Sequence, residues 1–146
     1  MSTNTEVWDD NSRTVYTYDE NGNQTRMTDY ESSGRVTSDC FYQNNDRGQV
    51  VGWRVFDGSE QLIRRFEVDY DLSGREEESR EFDGNGTLIR RERHIYDSLD
   101  RETEVQHYDS QGILRSKAIL ERDQNGSYLR TIYCDPEGRP LRGPAA

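Results

Sequence analysis

The sequence is short of nearly everything that a compact hydrophobic core needs. Leu, Ile, Val and Phe account for only 26 of its 146 residues, and the mean hydropathy is -1.15. Charged residues reach 33% with a net charge of -10, a balance that taken alone belongs to disordered chains. Cysteine and histidine are scarce, at two residues each. Cys40 and Cys134 lie far apart, and His94 and His107 lack metal-ligand spacing, so neither a metal site nor a cofactor is expected. No apolar run approaches the roughly 18 residues of a membrane span. The opening Met1-Ser2-Thr3-Asn4-Thr5-Glu6 has no basic or apolar stretch of a secretory signal. A cytoplasmic chain with reduced thiols is the expectation. The carboxylate excess argues against nucleic acid as a partner. It favours a basic protein partner, or simply keeps a sheet soluble.

What the chain does have opposes disorder. Nine tyrosines and two tryptophans recur at regular spacing. A turn signature appears ten times: an aromatic, usually Asp next, then polar residues and often Gly. The aromatic place is held by Tyr18, Tyr30, Tyr42, Phe56, Tyr70, Phe82, Tyr96 and Tyr108, and then by Arg122 and Cys134, where the rule fails. Glycine follows four residues later at Gly22, Gly34, Gly74, Gly86, Gly112, Gly126 and Gly138. In the third unit it is read as displaced to Gly48, while Glu60 and Asp100 take its place in the fourth and seventh. Asp starts the turn by accepting amide hydrogen bonds, and Gly supplies the positive φ a tight hairpin requires.

Alternate signatures fall on the same edge of an antiparallel meander. Tyr30, Phe56, Phe82, Tyr108 and Cys134 keep an unbroken spacing of 26, while Tyr18, Tyr42, Tyr70, Tyr96 and Arg122 run 24, 28, 26 and 26. The expected fold is all-β: about five 26-residue hairpin repeats in a twisted or curled antiparallel meander of ten to eleven strands. Residues 1–15 are expected as a cap or frayed start, 16–140 as the repeat domain and 141–146 as a flexible tail. Trp8 and Val15 are the candidate capping side chains.

Segments such as Tyr70-Asp71-Leu72-Ser73-Gly74-Arg75 and Tyr18-Asp19-Glu20-Asn21-Gly22-Asn23 resemble the YD repeat of Rhs and teneurin-type proteins. Arg also follows Gly at Arg35 and Arg139. The hairpins are similar, too, to the MORN-variant repeats of small bacterial antitoxins. The resemblance spans residues 16–140, and it implies an immunity protein that binds a cognate polymorphic toxin domain and occludes its active site. A structural or adaptor repeat protein is the alternative that it leaves open.

Catalysis is not expected. Neither histidine has a Ser or Cys beside it in a nucleophile setting. Asp19-Glu20-Asn21-Gly22 and Asp123-Gln124-Asn125-Gly126 look like the opening of a calcium loop but lack its terminal Glu, and ordinary Asx turns explain them. What remains is surface. The candidate partner-binding residues are Trp53, Phe66, Tyr128 and Tyr133 with Arg64, Arg90 and Arg130 beside them, weighed against internal packing of a thin core. Glu76, Glu77 and Glu78 form an acidic run that either faces a basic partner or pairs with arginines on neighbouring strands. Self-association through the end strands is a further expectation.

Overall fold

A computed structural model describes residues 1–141. It contains eleven strands: β1 (Ser2–Val7), β2 (Arg13–Tyr18), β3 (Gln24–Tyr30), β4 (Val36–Asn44), β5 (Val50–Asp57), β6 (Leu62–Tyr70), β7 (Glu76–Asp83), β8 (Leu88–Tyr96), β9 (Glu102–Tyr108), β10 (Leu114–Arg122) and β11 (Tyr128–Cys134). They follow one another in sequence order in an antiparallel meander, and no helix occurs among the described residues. The all-β expectation is met. The chain divides into two compact units, residues 1–68 with 81–87, and residues 69–80 with 88 onward.

Every turn is the same machine. Asp71 donates its amide to the carbonyl of Arg75 at 2.8 Å, and Gly74 donates back to the Asp71 carbonyl at 2.9 Å. Asp71 Oδ1 accepts from the amides of both Ser73 and Arg75, each at 2.9 Å. This is a type I turn closed by a left-handed residue, the arrangement that lets three-residue hairpin loops follow strand twist. Gly74 has φ 84°, and Glu60 and Asp100 adopt φ of 64° and 62° at the same place without glycine's freedom.

One sequence expectation needs correction. The third turn is not displaced: it runs from Asn45, whose Oδ1 accepts from the amides of Arg47 and Gln49, to Gly48 in its regular place. Asn44 and Asn45 stand where other units have Tyr and Asp, so the ladder is Tyr18, Asn44, Tyr70, Tyr96, Arg122, at a uniform spacing of 26. Tyr42 lies two residues back, inside β4. Residues 1–15 also hold a turn of their own. Trp8 takes the Asp place, Asn11 the left-handed place with φ 66°, and β1 pairs with β2 along its length. Trp8 itself is exposed, with its Nε1 donating to Thr14 at 3.2 Å. Of the expected tail, Leu141 donates its amide to Tyr133 at 2.8 Å, and residues 142–146 lie outside the described residues.

The residue after the turn glycine explains the Gly-Arg pairing. Arg75 Nε holds Asp71 of its own turn at 2.7 Å, while Nη1 reaches Asp100 of the next turn on that edge at 2.8 Å. Arg101 likewise holds Asp97 at 2.9 Å. On the opposite edge, turn backbones pack onto the preceding hairpin. A Cβ on Gly58 would lie 2.4 Å from the Val36 carbonyl oxygen, and one on Gly84 2.2 Å from that of Leu62.

The core is as thin as the composition implies. In the first unit Thr14, Thr28, Cys40 and Val68 are buried, and in the second Ala118 and Cys134. Thr14, Cys40 and Ala118 occupy one repeat place, which Phe66 and Glu92 fill half-buried in the units between. Both cysteines are free thiols, and burial pushes that of Cys40 up. Buried threonines are satisfied across strands: Thr14 donates to Asp29 at 2.7 Å and Thr28 to Asp39 at 2.8 Å.

Candidate functional site

The structure separates the candidate binding residues into distinct places. Trp53 and Phe66 are register partners on β5 and β6, stacked at 4.5 Å, with Tyr42 tilted against Trp53 at 6.4 Å. These rings are half-buried in one another, so they hold the first unit together rather than standing free. Arg64, in the same unit, lies 3.7 Å from Glu81.

Tyr128, Tyr133 and Arg130 sit on β11, and here the side chains are open. Tyr128 is 55% exposed, Leu129 60% and Tyr133 62%. Leu129 was missed by sequence reasoning, although it lies between two named candidates. Arg130 pairs with Glu121 at 2.7 Å, and the Tyr128 hydroxyl meets that of Thr131 at 2.9 Å. The result is an exposed pair of tyrosines on one face of β11, while Arg130, the register partner of Glu121, lies on the other face; exposed tyrosines are enriched in protein-recognition surfaces.

The acidic run on β7 is largely neutralised within its unit. Glu78 pairs with Arg80 at 2.5 Å and with Arg91 at 3.1 Å, and Glu76 lies 3.3 Å from His94. Glu77 is exposed, as is Arg90 on β8. His94 stands between two carboxylates, with Nδ1 3.2 Å from Glu102. His107 lies 3.3 Å from Glu92. Ordinary cross-strand pairing accounts for both histidines. No group of His, Cys, Asp and Glu among the described residues is arranged to hold a metal ion.

A second surface, on the opposite face of the first unit from Trp53, escaped the sequence reading. Arg26 of β3 is the register partner of Phe41 on β4, Phe41 of Arg54 on β5, and Arg54 of Arg65 on β6. Guanidiniums lie over rings along this face, Arg26 4.9 Å from Phe41 and Arg65 4.0 Å from Phe82. Beside the row is a groove of about 370 Å³ whose apolar wall is Val36, Phe41 and Phe56. The two phenyl rings meet edge to face at 5.7 Å.

The class that the fold defines is a β-hairpin repeat protein with a 26-residue period. No family model matches the sequence, and no curated protein does. Among solved structures, the crystal structure of TcdB2-TccC3 matches with a TM-score of 0.54 at 11% identity, covering 90% of this chain and 9% of that one. A porin-like protein from Bacteroides uniformis matches with a TM-score of 0.49 at 13% identity, covering 90% of this chain and 54% of that one. The chain thus spans about a tenth of the TcdB2-TccC3 chain whose fold it shares.

Proposed function

We propose that this protein is an immunity protein that binds a cognate polymorphic toxin domain in the cytoplasm and blocks it by occlusion, without catalysis of its own. The observation that carries the reading is the open strip on β11, where Tyr128, Leu129 and Tyr133 are each more than half exposed. Large rings at that exposure lose area to water that a partner would recover, and rigid aromatics lose little entropy on docking. The resemblance of the Tyr-Asp turns to YD repeats supports the same reading, as does the fold shared with a segment of TcdB2-TccC3. In that resemblance the partner is a toxin domain, and the acidic surface steers it if it is basic. Nucleic acid and membrane are not the partners in this reading.

The test is co-expression in a bacterial host with the toxin domain encoded beside it. Growth rescued by the wild type and lost with the double substitution Tyr128→Ser, Tyr133→Ser supports the proposal. Growth arrest unrelieved by the wild type, with no complex recovered by tag purification, rejects it.

One observation favours a second reading, a structural or adaptor repeat. Cys134 forms an isolated bridge to Pro140 in the register by which Tyr30 pairs with Val36, so the repeat pattern holds at β11 as it does inside the array. A repeat unit used as an adaptor would bind its neighbour through that edge and leave toxin activity unchanged.

A further inference from the structure

The row Arg26, Phe41, Arg54, Arg65 is at odds with the charge of the chain that carries it. Carboxylates outnumber Lys and Arg by 29 to 19 in this chain. Arg26 takes Asp39 through two hydrogen bonds, at 2.9 and 2.6 Å, and Arg65 takes Glu67. Burial works against the Asp39 carboxylate, yet the bonds from Arg26 and Thr28 hold it below its ordinary range. Arg54 has no carboxylate within ion-pair distance among the described residues. Its nearest assigned contact is the Phe56 ring at 6.0 Å. It is also the direct cross-strand partner of Arg65. Like charges placed opposite one another weaken a sheet, and neighbouring strands lie only about 4.8 Å apart. One carboxylate laid across both guanidiniums removes that repulsion and satisfies their unused donors.

We infer that this row is a docking surface for a polypeptide partner that presents a carboxylate beside an apolar side chain. The carboxylate lies across Arg54 and Arg65, and the apolar side chain enters the groove between Val36, Phe41 and Phe56. A uniform polyanion fits less well, because Asp39, Asp57 and Glu60 line the same groove and repel consecutive phosphates. The surface belongs to the first unit and the strip invoked above to the second. It shares with that reading only the premise that the ligand is a polypeptide.

Fluorescence polarisation of a labelled ten-residue peptide of mixed Glu and Leu tests it, with Lys/Leu and all-Glu peptides and decauridylate RNA as comparators. The full chain should bind the Glu/Leu peptide best. Arg54→Gln should weaken it about fivefold and Arg54→Glu about 20-fold, as expected for loss and reversal of a desolvated charge contact. Arg35→Gln, a charge-matched change at a largely exposed arginine, should bind as the wild type does. Thermal denaturation checks that each variant is folded, and Arg54→Gln carries the test if Arg54→Glu is not. Absence of binding by the wild type, or undiminished binding by both Arg54 variants, overturns the inference. So does equal binding of RNA or the all-Glu peptide, which would make the row a polyanion site. Self-association that Arg54→Glu abolishes would name a second copy as the occupant and overturn the partner. Full toxin neutralisation by Arg54→Glu leaves the β11 reading intact, while Arg54-dependent peptide binding without any neutralisation leaves only this surface.

Discussion

Arg122 Nη2 donates to the carbonyl oxygen of Glu102, 20 residues back, at 3.1 Å. Tyr96 Oη makes the equivalent bond to Glu76 at 2.7 Å, and Asn44 Nδ2 to Gln24 at 3.1 Å. At Asn44, Tyr96 and Arg122 the residue before the turn thus serves as a donor that reaches the preceding hairpin, a role that does not require an aromatic. Tyrosine is the usual answer because it also packs, and Asn and Arg satisfy the donor requirement alone.

That relationship predicts which substitutions the ladder tolerates. Arg122→Tyr should leave stability unchanged or raise it, since Arg122 Nε is buried without a partner. Arg122→Leu leaves the Glu102 carbonyl unmatched and should cost about 1–2 kcal/mol. Tyr96→Phe should cost about 1 kcal/mol by the same loss. Chemical denaturation midpoints measure all three.

Left-handed residues other than glycine mark sites where stability can be gained. Glu60→Gly should stabilise by about 1 kcal/mol, because φ of 64° strains a residue with a Cβ. Asp100→Gly should gain less, since it removes the 2.8 Å contact with Arg75. Equal gains in thermal unfolding would show that the Arg75 bridge between turns contributes nothing.

Some glycines are required by close approach and others by φ. Gly84→Ala drives a methyl into the Leu62 carbonyl and should cost about 2–3 kcal/mol, as overpacking against backbone does. Gly112→Ala meets open space and suffers only the strain of φ 78°, about 1 kcal/mol. Urea titration of the pair ranks the two effects.

Turn carboxylates should give the protein an acid limit. Hydrogen bonds from backbone amides hold Asp19, Asp71, Asp97, Asp109 and Asp135 below the ordinary value of 3.8. A carboxylate depressed in the folded state contributes stability above its unfolded pKa and loses it as pH falls through the folded one. Melting temperature should therefore be flat above about pH 5 and fall steeply below pH 4. Asp71→Asn keeps the acceptor, as Asn45 does naturally, and should shrink that fall.

The 26-residue period and the turn chemistry were legible because each turn fixes a carboxylate or amide and a left-handed residue at set offsets. The third turn was misplaced because Asn44 and Asn45 replace Tyr and Asp, while Tyr42 offers a false start two residues early. The first turn was hidden because Trp8 uses only its backbone there. The Arg26–Arg65 row could not be read at all. Register slips beside the turns, as between Gln43 and Asn44 and between Val55 and Phe56. A one-residue error in any of these moves a side chain to the other face. Of the named aromatics, Tyr128 and Tyr133 are exposed, whereas Trp53 and Phe66 pack on each other.

If the chain neutralises a toxin by binding it, isothermal titration of the purified protein with the product of the adjacent reading frame shows it most directly. The account predicts a 1:1 complex in the nanomolar range, loss of toxin activity at equimolar ratio, and weakening by Tyr133→Ser. No heat of binding, with toxin activity undiminished at excess protein, would contradict it.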